Sequence, residues 1–271
     1  MSTDNPWVVR RRVLPAPRLR MFCFPYAGGG ASVYRDWPRW LPPDLEVCAV
    51  QPPGRESRLA EPPYTRLPAL LPPLADALSG LLDGPFVTFG HSLGGLVSFE
   101  LVKYLRRAGG PQPEQMFVSG RRPPHLPGRE RPIHDLPDDD LLTAVLRLNG
   151  TSPEIRSHPE LLELVIPLLR ADFAISETYH YTPETPLACP LTAFSGLADP
   201  SVTRSEAAGW AAHSRSGFVL RMLPGDHFFL STAQRQLLGE ITHLLATPPP
   251  AAGRATRLPR RADRPGDHHI A

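Results

Sequence analysis

The sequence predicts an α/β fold whose sheet is mostly parallel and covered by helices on both faces. Three observations predict it. Short continuous apolar runs of strand length recur along the chain, segments of helical period alternate with them, and one junction between the two is a glycine-flanked serine. Alternation of this kind needs crossover helices, which lie on the faces of a parallel sheet and bury both of its sides.

Taken in order, the strand-length runs are Met21 to Phe24, Leu45 to Val50, Phe86 to Phe89, Met116 to Val118, Leu191 to Phe194 and Phe218 to Leu223. Each is bounded by turn residues. Between them the helical segments are Leu67 to Leu82, Leu93 to Arg107, Glu206 to His213 and Phe229 to Leu245. The clearest is the second, where Leu93, Leu96, Val97, Leu101, Tyr104 and Leu105 make one face and Gly109-Gly110 follow the end. Lys103, Arg106 and Arg107 fall in its last turns, where cations complement the helix dipole. The 35 prolines act as punctuation, and the pairs 42-43, 52-53, 62-63, 72-73 and 123-124 mark loops or first turns of helices.

Residues 121–185 break the alternation. They hold no strand pattern but two helical ones, Asp138 to Leu148 and Pro159 to about Tyr179, and read as an inserted helical lid. Asp138, Asp139 and Asp140 open the first of these, at the positive end of its dipole, so that charge run needs no ligand. The domain plan is an N-terminal extension over 1–17, a core over 18–120 and 186–246, the lid over 121–185, and a disordered basic tail over 247–271.

Composition narrows the function. At 271 residues, 41% hydrophobic and 21% charged, the chain is expected to form one globular domain with an insertion. It has no run of 18 apolar residues, and Arg10 to Arg12 precede no signal-peptide hydrophobic region, so a cytoplasmic protein without a membrane span is expected. Cys23, Cys48 and Cys189 are odd in number and each sits in an apolar run, which reads as buried free thiols. The net charge is +2, but the five arginines and two aspartates after residue 247 carry +3 of it, leaving the body near −1. A body without a basic stripe argues against nucleic acid. No heptad run calls for an oligomer, so a monomer is the default.

The chemistry concentrates in Phe86-Val-Thr-Phe-Gly-His-Ser-Leu-Gly-Gly: a strand, then Gly90-x-Ser92-x-Gly94, then a helix. A sharp strand-to-helix turn lifts a hydroxyl above the sheet, and glycines flank it because a side chain there would collide. A weakly nucleophilic hydroxyl needs a base, and the base an orienting acid. His227 follows the last strand in Pro-Gly-Asp-His-Phe-Phe, and Asp199 follows the fifth in Ser-Gly-Leu-Ala-Asp-Pro. Asp226 competes as the acid, but adjacent side chains seldom align for such a bond. Serine, aspartate, histidine is the chain order of a hydrolase triad.

The other histidines take blander readings. His91 has a structural role, His213 and His243 lie on helix surfaces, and His268 and His269 end the tail. An oxyanion hole would use the amide N–H of Leu93 and a second donor from Phe24-Pro-Tyr-Ala-Gly-Gly-Gly, with Ala27 preferred and Tyr26 next. That loop lacks the Lys and Ser/Thr of a phosphate-binding loop. No His/Asp/Glu cluster has metal spacing, and neither a metal nor a cofactor is expected.

These residues together resemble the type II thioesterases, α/β-hydrolases that accompany polyketide synthases and nonribosomal peptide synthetases. The likeness spans residues 18 to 246. Its motifs are the early glycine loop, Trp37, Pro53-Gly-Arg-Glu56 with Arg58, Gly-His-Ser-Leu-Gly-Gly, Arg170-Ala-Asp-Phe173, Phe194-Ser-Gly with Asp199, Trp210, and Gly225-Asp-His-Phe-Phe229. Gln51 before Pro-Pro-Gly and the arginine-rich tail depart from it. The resemblance implies hydrolysis of acyl thioesters on the phosphopantetheine arm of acyl or peptidyl carrier domains, removing stalled or mis-primed groups. The phosphopantetheine belongs to the substrate. A general carboxylester hydrolase on the same fold and a non-catalytic acyl-binding protein are the alternatives.

Overall fold

The computed structural model describes residues 5–128, 131–147 and 157–247. The arginine-rich tail lies outside the described residues. Seven strands form one sheet: β1 (Val8–Val9), β2 (Leu19–Phe24), β3 (Leu45–Val50), β4 (Phe86–His91), β5 (Gln115–Ser119), β6 (Leu191–Gly196) and β7 (Phe218–Leu223). Their order is β1-β3-β2-β4-β5-β6-β7, with β1 antiparallel to β3 and every other pair parallel.

Period-two alternation sorts the strand side chains between two cores. Leu19, Met21 and Cys23 of β2 join Leu45, Val47 and Ala49 of β3 on one face, under α7 (Gln234–Ala246). Phe22, Phe24, Cys48 and Val50 point the other way, toward α1 (Leu67–Leu78) and α2 (Leu93–Arg107). With both faces covered, β3, β4, β5 and β6 are buried along their whole length.

Connections from β2 and β4 leave in opposite directions, β2 toward β3 and β4 toward β5. The loops after β2 and β4 therefore part at the carboxyl end of the sheet, where open α/β folds hold their ligands. Over this end lie α3 (Asp138–Leu146) and α4 (Pro159–Glu177), packed on each other through Leu141, Val145 and Leu169.

Several expectations change. Residues 5–17, read as an extension, supply β1 and bind the core: the fully buried Glu46 accepts the Leu14 N–H at 2.9 Å and pairs with Arg20 at 3.1 Å. Pro72 and Pro73 lie inside α1, not at its start. The segment Phe229 to Leu245 is two helices, α6 (Phe229–Thr232) and α7, because a turn at Ala233 lets Phe229 and Leu230 stay buried at the sheet while Leu237, Leu238 and Ile241 cover its face. The helix placed at Glu206 to His213 starts earlier as α5 (Arg204–Ala208) and tightens into a 3-10 turn over Gly209–His213. Thr203 and Glu206 cap it reciprocally. His213 is buried, not on the surface. It packs on Trp210 and Phe99 and is hydrogen-bonded to His125 at 2.7 Å.

The three cysteines are free and buried. Burial pushes the Cys48 thiol up to about 12 and that of Cys189 to about 11, so neither is a ready nucleophile. Among the described residues no helix is long and apolar enough to cross a membrane.

Candidate active site

Ser92 joins β4 to α2 with φ 52° and ψ −114°, a conformation that side-chain-bearing residues rarely adopt. Its N–H donates to the Ser119 carbonyl of β5 at 2.8 Å, and its carbonyl accepts from Gly95 N at 3.0 Å. Glycines make the turn sterically feasible. A Cβ on Gly94 would lie 2.0 Å from the Phe24 carbonyl oxygen, and one on Gly90 would lie 2.2 Å from that of Gly94. Both obstacles are backbone. The start of α2 thus seats directly on the end of β2, which brings the serine beside the glycine loop.

Asp199 and His227 come from the ends of β6 and β7. His227 Nδ1 donates to Asp199 Oδ2 at 2.9 Å, and Asp199 Oδ1 accepts the Ser201 N–H at 2.8 Å, so both carboxylate oxygens are held. The carboxylate side chain is wholly buried. Asp226 does different work: its Oδ1 accepts the Phe228 N–H at 2.8 Å and stabilises the turn that carries His227.

Ser92 and His227 line one cavity of about 90 Å³, together with Tyr26, Ala27, Leu93 and Arg121. Leu93 opens α2, so its N–H has no acceptor within the helix. In the glycine loop, Gly28 N–H donates to Asp172 Oδ2 at 2.7 Å and Gly29 N–H to the Tyr26 carbonyl at 2.9 Å. Those two amides are therefore committed, while Ala27, with its neighbour Tyr26, borders the cavity.

His91 is fully buried beneath the site. Its Nδ1 is hydrogen-bonded to Ser119 Oγ at 2.8 Å, and its ring sits 5.2 Å from that of His227. Burial, reinforced by repulsion from His227, holds it well below the ordinary histidine range, so it is a neutral packing partner.

Residues to which the sequence assigned no chemical role brace the loop. Arg55 binds Asp172 of α4 through two contacts, 2.7 and 2.9 Å, and also donates to the Gly29 carbonyl at 3.0 Å. Asp172 thus holds both the Gly28 amide and Arg55, with both charged side chains buried. Both lie in quoted motifs, but a pairing 117 residues apart in sequence has no local signature. Among the described residues no group of three or more His, Cys, Asp or Glu is placed to hold a metal ion.

A mostly parallel sheet with a serine on the turn after its central strand, and a histidine-aspartate pair on later strand ends, defines an α/β-hydrolase. Residues 19–245 match the thioesterase domain family, and the chain belongs to it. It is 45% identical over 246 residues to linear gramicidin dehydrogenase LgrE of Brevibacillus parabrevis, across 90% of this chain and 94% of that one. Among solved structures, RedJ, a thioesterase of the prodiginine pathway in Streptomyces coelicolor, has a TM-score of 0.79 at 39% identity, over 87% of this chain and 90% of RedJ. The type II thioesterase BorB of the borrelidin cluster has 0.81 at 34%, over 90% and 99%. The first relative's name speaks of a dehydrogenase; the family match and both structures speak of thioester hydrolysis. The resemblance to type II thioesterases drawn from the sequence is borne out, and the chain is a thioesterase.

Proposed function

We propose that this thioesterase hydrolyses acyl groups from the phosphopantetheine arm of acyl or peptidyl carrier domains, with Ser92 as nucleophile, His227 as base and Asp199 as its orienting acid. The observation that carries the reading is one cavity that joins Ser92 to a histidine whose other ring nitrogen is held by a buried carboxylate. His227 takes the Ser92 proton as Oγ attacks the thioester carbonyl, and the oxyanion is held by the amides of Leu93 and Ala27, with Tyr26 the alternative second donor. The C–S bond breaks, the sulfur leaves with the proton from His227, and an acyl-serine ester remains. Water, deprotonated by His227, then releases a carboxylic acid and restores Ser92. Asp199 fixes the imidazole tautomer and stabilises the imidazolium.

The editing role, clearing stalled or mis-primed acyl groups from a synthase, draws its support from the likeness to a type II thioesterase of a biosynthetic cluster. In this reading α3 and α4 form the lid that shapes the acyl pocket. The test compares hydrolysis of propionyl-carrier protein, propionyl-pantetheine and p-nitrophenyl propionate by the wild type and Ser92→Ala. Preferential cleavage of the carrier-bound thioester, lost in the variant, supports the reading. Cleavage of the soluble ester alone would overturn the carrier assignment, and full activity of Ser92→Ala would overturn the mechanism.

A further inference from the structure

Arg121 stands two residues beyond β5, whose last residue, Ser119, receives the Ser92 amide hydrogen bond. Its Cβ lies 3.2 Å from where a side chain on Gly95 would begin, so it sits against the first turn of the helix that Ser92 starts. It lines the same cavity as Ser92 and His227. There it donates to Ser176 Oγ of α4 at 2.7 Å. Among the described residues it has no carboxylate partner, whereas three other arginines of this end of the molecule do: Arg55 with Asp172, Arg122 with Glu206, and Arg170 with Asp138. Burial without an anion holds its guanidinium down at about 10.

A guanidinium carries five donors; besides the hydrogen bond to Ser176 and the electrostatic influence of the Tyr179 phenol, the group has donors left for an acceptor that enters the cavity. Val145, Leu169 and Phe173, which line the same cavity, are apolar and offer no acceptor. An unbranched hydrocarbon chain would cover these donors without satisfying them, which costs affinity; an acyl chain with an oxygen in reach would engage them.

We propose that Arg121, positioned by Ser176, is a specificity-determining residue that selects acyl groups bearing an acceptor oxygen, a carboxylate or a keto group, a few atoms beyond the thioester. This rests on the thioesterase chemistry assigned to Ser92. The phosphate of the pantetheine arm has related chemistry, but it lies at the far end of the arm from the sulfur, whereas Arg121 shares the cavity of the nucleophile.

The experiment measures kcat/KM for butyryl, 3-oxobutyryl and succinyl thioesters, each on pantetheine and on phosphopantetheine, with the wild type, Arg121→Gln, Arg121→Lys and Ser176→Ala. Comparing each variant with the wild type cancels the intrinsic reactivity of the esters. The expected result is a fall of about 10- to 100-fold in the ratio of oxygenated to butyryl hydrolysis for Arg121→Gln, the loss of one charge-assisted hydrogen bond. Arg121→Lys should retain part of the preference. The size of the fall for succinyl against 3-oxobutyryl tells a carboxylate from a keto group. Equal losses on all three acyl groups, an unchanged ratio, or an effect seen only with the phosphorylated arm would each overturn the proposal.

A second readout does not need turnover: Ser92→Ala should bind the succinyl amide analogue of the substrate about tenfold or more tighter than the butyryl amide, and Arg121→Gln should erase the difference. Absence of Ser92-dependent hydrolysis of every thioester would sink the chemistry assigned to Ser92, while equal binding of the two amides would sink the role of Arg121.

Discussion

Asp172→Ala is the substitution from which the structure derives the largest paired effect. It removes the carboxylate that holds Arg55 and the Gly28 amide at once. The Arg55 side chain is only 6% exposed, so its charge would stay buried without a counter-ion. Breaking a buried pair from one side costs about 3–5 kcal/mol. At about 2–4 °C per kcal/mol for a domain of this size, the melting temperature should fall by roughly 6–20 °C. The loop that loses its tether carries Ala27, the proposed oxyanion donor, whose displacement should cost about 100- to 1,000-fold in kcat. Thermal melts and single-substrate kinetics at 25 °C, where the variant remains folded, measure the two separately. The double variant Arg55→Met/Asp172→Leu separates the causes: with both charges gone, stability should recover much of its loss, while kcat should not, because Gly28 N–H still lacks its acceptor. A destabilised Asp172→Ala with wild-type kcat would refute the link between the clamp and the oxyanion donor.

Three further outcomes are expected. Gly94→Ala should give little soluble protein, because its Cβ would lie 2.0 and 2.7 Å from the Phe24 and Pro25 carbonyl oxygens, whereas Gly95→Ala meets the Val118 and Arg121 side chains at 3.1 and 3.2 Å and the Gly90 carbonyl oxygen at 3.3 Å and should fold with a modest loss; soluble yield and melting temperature distinguish them. Asp199→Asn should reduce kcat by about 10⁴-fold through the wrong imidazole tautomer, with little change in fold by circular dichroism. Burial holds His213 down from 6.5 to about 4, so between those values the unfolded chain takes a proton that the folded chain refuses. That stability is present above pH 6.5 and lost as the pH falls toward 4, with the depressed His91 adding in the same direction. Melting temperatures from pH 7 to 4 should fall less steeply in His213→Gln; identical slopes would show that His213 is not the acid-sensitive group.

What the sequence made legible follows from locality. The helix Leu93–Arg107 was read with the bounds it has, because its start is set by an adjacent turn and its end by Gly109. Ser92, Asp199 and His227 were legible because each stands just after a strand that its own apolar run announces. The turn at Ala233 was not, since it serves packing of Phe229 against a sheet formed by distant residues. Burial of His213 hid for the same reason: its partner His125 is 88 residues away. Val8 and Val9 are too short a run to signal a strand, and only the edge of β3 makes them one. Arg121 stood unremarked in Gly-Arg-Arg-Pro, where nothing local separates the arginine facing the cavity from the one paired with Glu206.

The backbone of Ser92 has a consequence for any attempt to improve this protein by selection. A non-glycine residue held at φ 52° and ψ −114° stores about 1–3 kcal/mol. Glycine would release that strain and lose the hydroxyl in the same codon, whereas alanine would lose the hydroxyl and keep the strain. A library sorted for heat resistance alone would therefore enrich glycine at position 92 and discard the proposed nucleophile, so thermal tolerance and turnover must be screened together.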